Sequence, residues 1–156
     1  MALLVSLSAL SCDDKVSAPQ DALERLFPAI ERSQVRAYRN QSWCKNILYA
    51  RGAFSDTASP STCNLFDEPA HPFDQQAALD FATIRDEIAG TRLQVDYFNV
   101  SLDGHGHVAQ ADFVLRGCAD CSLLGYTFEP DYVLGTPGPD EKFTAIDQDW
   151  YKVEVH

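Results

Sequence analysis

The spacing of apolar residues changes at Gly90, and this change constrains the fold more than any other feature of the chain. Asp74 can cap the free N–H groups of a helix, and the apolar residues that follow it recur at helical intervals up to Gly90. This pattern predicts one amphipathic helix with an apolar face of Ala77, Phe81, Ile84 and Ile88. After Gly90 apolar residues alternate with polar ones, which is typical of β-strands.

The alternating residues predict four strands, at 92–103, 107–115, 123–128 and 150–155. Asp103-Gly104 indicates a tight hairpin between the first two strands. In the first strand the apolar side chains switch faces between Tyr97 and Phe98, which predicts either a bulge there or a strand covered on both faces. A further strand is indicated within 44–54 by its β-favouring residues.

The N-terminal part of the chain has a helical pattern that a proline interrupts. Apolar residues in 21–41 recur at helical spacing, and Pro28 predicts a break or kink near Phe27. Residues 55–72 are rich in Ser, Thr, Pro and Asp and indicate a long loop. The sequence therefore predicts an α+β fold, in which an N-terminal helical segment and one amphipathic helix pack on a four-to-five-stranded antiparallel sheet.

Length and charge narrow the classes of function. At 156 residues the chain has the size of one domain, and no stretch reaches the ~20 apolar residues that a membrane-spanning helix needs. The chain has 12 Lys and Arg against 23 Asp and Glu, which gives a net charge of −11, and it has no basic cluster that could neutralise phosphates. We therefore expect no nucleic-acid partner, whereas the negative charge favours solubility and cationic partners.

The first twelve residues have the features of a targeting signal. The apolar run ALLVSLSAL precedes Ser11 and Cys12, and it is too short to span a membrane. Ala9 and Ser11 would also suit an ordinary signal peptidase, and the alternative to a targeting signal is a buried apolar strand. The motif ALSC resembles the lipobox of bacterial lipoproteins, in which a small residue precedes the cysteine that becomes lipidated. The resemblance covers the leader alone, and it implies cleavage before Cys12 and diacylation of that residue. It divides the chain into a leader at 1–12, a polar tether at 13–20 and a single α+β domain at 21–156.

The chain has five cysteines, an odd number, and lipidation of Cys12 leaves four that can form two disulfides. Four cysteines allow three connectivities. We favour Cys44–Cys63 with Cys118–Cys121, because the members of each pair are close in sequence. The CADC motif of the second pair is interpreted as a structural disulfide, and its alternatives are a zinc site, a redox pair and free thiols.

Two further groups are candidate sites. In DGHGHV an extended backbone would point Asp103, His105 and His107 the same way, as metal ligands require, although glycine-rich turns also collect polar residues without function. Asp80 and Glu87 on the amphipathic helix are expected to be solvated. Four aromatic residues lie in or beside the loops predicted at 55–72 and 129–143, where they could contact a partner or cover the end of the sheet: Phe66, Tyr132, Phe143 and Trp150.

The G-x-S-x-G, H-E-x-x-H and Walker signatures of catalysis are absent from the sequence. The sequence thus favours a secreted or membrane-anchored protein of the cell envelope, in the periplasm or outside the cell, that acts as a non-enzymatic binding or inhibitory module without a cofactor. Its expected partner is another envelope or extracellular protein, and contact with a membrane is expected only through a lipid on Cys12. The alternative is a small secreted enzyme or metal-binding protein that uses CADC or DGHGH.

Overall fold

Nine β-strands hydrogen-bond into one sheet in the computed structural model, which describes residues 18–56, 69–116 and 122–156. The helices of these residues are α1 (Pro19–Glu24), α2 (Phe27–Ser33) and α3 (Gln75–Gly90). The strands are β1 (Ala37–Gln41), β2 (Cys44–Tyr49), β3 (Gly52–Ser55), β4 (His71–Pro72), β5 (Val95–Leu102), β6 (Val108–Leu115), β7 (Leu123–Phe128), β8 (Glu141–Ala145) and β9 (Trp150–Val155). Among the described residues, no helix is long and apolar enough to cross a membrane.

The sheet has the order β4-β3-β2-β1-β5-β6-β7-β9-β8. Neighbouring strands are antiparallel, except β3 and β4, which are parallel. The predicted α+β class is confirmed. The predicted count of four to five antiparallel strands is too low, and the sheet is mixed.

The additional strands arise where the alternating pattern is short. Residues 44–54 reverse direction at Ala50 and Arg51, so that β2 pairs with β3. Gly52 permits this reversal, because its φ of 127° lies in a region that other residues avoid. β1 occupies the end of the segment predicted to be helical, β4 lies at the end of the loop predicted at 55–72, and β8 begins within the loop predicted at 129–143. Strands this short contain too few alternations to be told from a helix or a loop by period alone.

The break that Pro28 predicts near Phe27 is confirmed. Two separate helices flank it, and Pro28 lies in the first turn of α2, where its missing N–H removes no helical hydrogen bond. Gln34, in the left-handed conformation with a φ of 56°, ends α2. α1 begins at Pro19, within the stretch 13–20 that is predicted to be a tether.

The predicted amphipathic helix is confirmed as α3. Its N-cap is Asp74, whose Oδ1 accepts a hydrogen bond from the backbone N–H of Ala77 at 2.7 Å. The residues predicted to share its apolar face are all buried: Ala77, Phe81, Ile84 and Ile88. Asp80 contradicts the prediction of a solvated carboxylate, because it is only 9% exposed.

The bulge in β5 lies one position earlier than predicted. The pairing with β6 shifts between Val95 and Tyr97, which leaves Asp96 as the extra residue. The predicted position, between Tyr97 and Phe98, is therefore wrong. The bulge sets the register that buries Phe98 in the core. The hairpin predicted at Asp103-Gly104 is confirmed, because β5 and β6 pair on either side of it.

The hydrophobic core lies on the face of the sheet that the helices cover. Tyr38, Phe98 and Phe113 are neighbours across β1, β5 and β6 on this face. α3 packs here through Phe81, whose ring centroid is 4.8 Å from that of Tyr38. These aromatic rings therefore join α3 to the middle of the sheet.

The first two helices are joined to the last strand by aromatic contacts and one hydrogen bond. The ring centroid of Phe27, at the start of α2, lies 6.5 Å from Phe113 and 6.2 Å from Trp150 of β9. The indole Nε1 of Trp150 donates a hydrogen bond to Glu24 Oε1 of α1 at 2.8 Å. Residues from the two ends of the domain thus share one core.

We expect Phe113→Ala to lower the free energy of unfolding by about 3–5 kcal/mol, because the buried ring would leave a cavity against Phe98 and Trp150. Urea denaturation followed by circular dichroism measures this change. Leu79→Ala is the control, because Leu79 is 60% exposed on α3. The control should change stability by less than about 0.5 kcal/mol. Equal losses in the two variants would contradict this description of the core.

Candidate functional site

Five residues with a predicted role lie outside the described part of the chain: Cys12, Cys63, Phe66, Cys118 and Cys121. Cys44, the other cysteine of the predicted disulfides, is buried at the start of β2 and is not free. Lipidation of Cys12 and the two disulfide pairings therefore stay predictions.

The turn between β5 and β6 uses the carboxylate of Asp103 to hold the backbone. Asp103 Oδ1 accepts hydrogen bonds from the backbone N–H groups of His105 at 2.8 Å and His107 at 2.9 Å. These hydrogen bonds, the one from His107 first, hold the pKa of Asp103 below its usual value. His107 Nδ1 lies 3.4 Å from Glu31 Oε2. Among the residues that the structure describes, no three His, Cys, Asp or Glu side chains are grouped so that they could hold a metal ion.

Aromatic residues gather around β9 beside the loop 129–140. Tyr132 stacks on Tyr151 with ring centroids 4.9 Å apart, and Phe143 of β8 lies 6.1 Å from the same ring. Trp150, in contrast, is 2% exposed and belongs to the core, although it also lines the cavity next to this loop. The structure therefore brings Tyr132 and Phe143 together around Tyr151, a residue that no sequence pattern singles out.

The same loop exposes an apolar segment of three consecutive residues. Val133 is 85% exposed, and its neighbours Tyr132 and Leu134 are also exposed. Together with Tyr151 they line a cavity of about 340 Å³. We call Tyr132, Val133, Leu134 and Tyr151 the Tyr132 surface. Large apolar side chains that are exposed side by side are typical of interaction sites.

Carboxylates surround the Tyr132 surface. Three line its cavity and a fourth lies next to Tyr132 in the loop: Glu129, Asp147, Asp149 and Asp131. None of the four forms an ion pair with a described residue, and no Lys or Arg of the described ranges lines the cavity. Asp147 is held in place by hydrogen bonds from the backbone N–H groups of Asp149 and Trp150. Burial raises the pKa of Tyr151, so its phenol stays neutral beside these charges.

A second cavity, of about 430 Å³, lies between the end of α2, the turn from β2 to β3 and the start of α3. Three arginines line it. Arg32 lies in the last turn of α2, Arg36 follows that helix, and Arg51 lies in the turn from β2 to β3. We call this cavity the arginine cleft. Its lining also includes Tyr49, Gln76 and Asp80.

Arg51 is held in one orientation in the cleft. Its Nη1 lies 3.0 Å from Asp74 Oδ2, and its guanidinium carbon lies 4.6 Å from the ring centroid of Tyr49. Arg32 and Arg36 are exposed, and neither forms an ion pair with any residue of the described ranges. The cleft therefore has one guanidinium that is already paired and two that form no ion pair with a described residue.

The buried carboxylate of the cleft has two neutral hydrogen-bond donors. Tyr49 Oη donates to Asp80 Oδ2 at 2.7 Å, and Gln76 Nε2 donates to Asp80 Oδ1 at 2.9 Å. Burial, and after it the hydrogen bond to Asp80, raises the pKa of the Tyr49 phenol. The tyrosine thus keeps its proton and holds Asp80 at the base of the cleft.

One sequence signal could have pointed to Asp80. It follows Ala77 by three positions and precedes Ile84 by four, which places it on the apolar face of α3. A carboxylate on such a face needs partners from elsewhere in the fold. The arginines carry a less specific signal: they belong to residues 25–51, which contain six basic residues and one acidic residue in an otherwise acidic chain. Only the pairing of β1 with β2 brings Arg51 close to Arg32 and Arg36.

The two surfaces have opposite charge. The Tyr132 surface is apolar and bordered by carboxylates, whereas the arginine cleft is cationic around one buried carboxylate. No protein-family model matches the chain, and no curated protein or solved structure matches it either.

We expect Tyr49→Phe to lower the free energy of unfolding by about 1–3 kcal/mol at neutral pH, because Asp80 stays buried after it loses this hydrogen bond. The free energy of unfolding of this variant should also fall less than that of the wild type as the pH becomes alkaline. An unfolded chain loses its tyrosine protons near pH ~10, whereas folded Tyr49 keeps its proton at that pH. The folded state then binds more protons, and stability falls as pH rises beyond about 10.

Urea denaturation of both proteins at about pH 8 and about pH 11 measures the two effects. The wild type should lose more stability between these pH values than Tyr49→Phe does. Part of the loss should remain in the variant, since burial also raises the pKa values of Tyr38, Tyr126 and Tyr151. An equal loss in the two proteins would show that Tyr49 is not the group described here.

Proposed function

We propose that this protein is a secreted or membrane-anchored envelope protein that acts as a non-enzymatic binding module, and that it holds its partner at the Tyr132 surface. One observation carries the proposal. Tyr132, Val133 and Leu134 are consecutive large apolar residues that are exposed beside carboxylates without an ion pair in the described chain. A partner that covers the apolar side chains would remove them from water, which favours association.

The charges around the surface specify the chemistry of the partner. Apolar contact with Val133 and Leu134 brings the partner close to the carboxylates that border the cavity, so a cationic side chain in the partner would be attracted. The net charge of −11 adds a long-range attraction for a cationic segment and speeds its approach. The partner is thus another envelope or extracellular protein that presents apolar side chains flanked by Lys or Arg.

The leader supports the proposed location. ALSC resembles a lipobox, and Cys12 would carry the lipid. Few residues separate Cys12 from Pro19, where α1 begins, so a lipid at this position would hold the domain close to the membrane surface. DGHGH lends no support to the alternative function, a small secreted enzyme or metal-binding protein, because no three His, Cys, Asp or Glu side chains among the described residues are grouped so that they could hold a metal ion.

We expect the wild-type protein to bind a peptide of alternating Leu and Lys residues at least about tenfold more tightly than a peptide of Leu and Glu of equal length, because only the first complements the carboxylates. Fluorescence anisotropy of labelled peptides gives both dissociation constants. Binding of the Leu–Lys peptide should weaken as salt is added, since exposed charges are screened. It should also weaken at least about tenfold in the double variant Tyr132→Ser, Val133→Ser, which removes the apolar contact.

Leu79→Ser is the matched control, because it removes an exposed leucine from α3, away from the Tyr132 surface. It should bind the Leu–Lys peptide as the wild type does. Equal affinity for the two peptides, or full affinity in the double variant, would overturn the proposal that this surface selects a cationic and apolar partner.

The envelope location has a separate test. We expect the intact mass of protein extracted from bacterial membranes to show that residues 1–11 have been removed and that a diacylglyceryl group has been added. The Cys12→Ser variant should show neither change, because Cys12 is the site of both reactions. The mass gained on reduction counts the disulfides. A mass equal to that of the full unmodified chain would contradict the proposed anchor. It would not affect the proposal for the Tyr132 surface, which the peptide-binding experiment tests separately.

A further inference from the structure

The arginine cleft is rich in positive charge, although the chain as a whole is negative. The sequence has almost twice as many acidic as basic residues, yet three of its arginines line one cavity in which Asp80 is the single carboxylate among the described residues. A cavity of about 430 Å³ has the size of a small-molecule site. Its content of arginine without lysine indicates recognition by planar, forked donors, which match carboxylate and phosphate oxygens.

Arg32 and Arg36 are the groups available to a ligand. They lie at and after the end of α2, line the cavity and form no ion pair with a described residue, whereas Arg51 is paired with Asp74. Gln34, which lies between them in the sequence, is held by hydrogen bonds from its Nε2 to the backbone oxygens of Glu31 and Gly106. The backbone that carries the two arginines is thus attached to the turn between β5 and β6.

Asp80 limits what the rest of the ligand can be. Its carboxylate is buried, and its two oxygens each accept a hydrogen bond from a neutral donor, Tyr49 or Gln76. A carboxylate has further lone pairs, so it can accept one more hydrogen bond from a ligand. A second anionic group next to Asp80 would be repelled.

We propose that the arginine cleft binds a small organic anion with one carboxylate or phosphate group, which pairs with Arg32 and Arg36, and with a neutral hydrogen-bond donor at its other end, which faces Asp80. Both anionic groups present oxygens to a guanidinium fork in the same way. This site is independent of the Tyr132 surface. Its proposed ligand is a small molecule, whereas the proposed partner of the Tyr132 surface is a protein.

Four probes test the proposal by NMR titration of the backbone and arginine signals. 4-Hydroxybenzoate has one carboxylate and one donor, 4-hydroxybenzamide is its neutral counterpart, terephthalate replaces the donor with a second carboxylate, and phenyl phosphate presents a phosphate. We expect 4-hydroxybenzoate to shift the signals of residues 32–36 and 49–51 saturably. The amide should bind at least about tenfold more weakly, and terephthalate more weakly than 4-hydroxybenzoate. Phenyl phosphate has no hydroxyl donor to face Asp80, so saturable shifts of residues 32–36 with this probe would show that the arginines also bind a phosphate.

Variants identify the residues that bind. Arg32→Ala with Arg36→Ala should weaken 4-hydroxybenzoate at least about tenfold, and Arg32→Lys with Arg36→Lys should also weaken it, because lysine keeps the charge and loses the fork. Both arginines are exposed, so the fold should persist in these variants, which circular dichroism verifies. Arg25→Ala is the control, because it removes an exposed arginine that does not line the cleft.

Three results would overturn the proposal. The first is the absence of saturable shifts at the cleft with both 4-hydroxybenzoate and phenyl phosphate. The second is equal affinity for 4-hydroxybenzoate and its amide. The third is wild-type affinity in the double alanine variant, or an equal loss in Arg25→Ala. None of these results bears on peptide binding at the Tyr132 surface, so the two proposals fail separately.

Discussion

The packing of Phe27 against Phe113 and Trp150 is the contact on which the rest of the structure depends. A nine-stranded sheet has a wider apolar face than one helix can cover, and α3 reaches its β1–β5 part through Phe81. The short helices α1 and α2 cover the β6–β9 part, and the indole of Trp150 is hydrogen-bonded to α1. The break at Pro28 allows this arrangement, because one continuous helix could not place both α1 and Phe27 against the sheet.

Both proposed binding surfaces are consequences of this packing. Side chains alternate along β9, so the register that buries Trp150 in the core turns its neighbour Tyr151 to the other face, where Tyr132 stacks on it. The docking of α2 beside α3 likewise brings Arg32 and Arg36 to the cavity that Asp80 lines. A change that loosened Phe27 would therefore be expected to disturb the two surfaces together.

The fold places acidic and basic side chains at two separate surfaces. Over the whole chain 23 acidic residues outnumber 12 basic ones, although residues 25–51 contain six basic residues and one acidic residue. In three dimensions carboxylates border the Tyr132 surface and arginines line a separate cavity, so that one acidic protein offers sites of opposite charge. Opposite sites of this kind allow a protein partner and a small anion to bind without competing for the same groups.

The sequence by itself determined the features that depend on neighbouring residues: the cap and apolar face of α3, the break at Pro28 and the hairpin at Asp103-Gly104. Only the tertiary structure decided that Tyr38 lies in a strand, because β1 gains its backbone hydrogen bonds from β2 and β5. It also decided that Asp80 is buried beside Tyr49 and that Tyr151 supports Tyr132. The physical reason is distance along the chain: caps and turns are formed within a few residues, whereas strand pairs, buried carboxylates and binding surfaces are formed by residues that only the fold brings together.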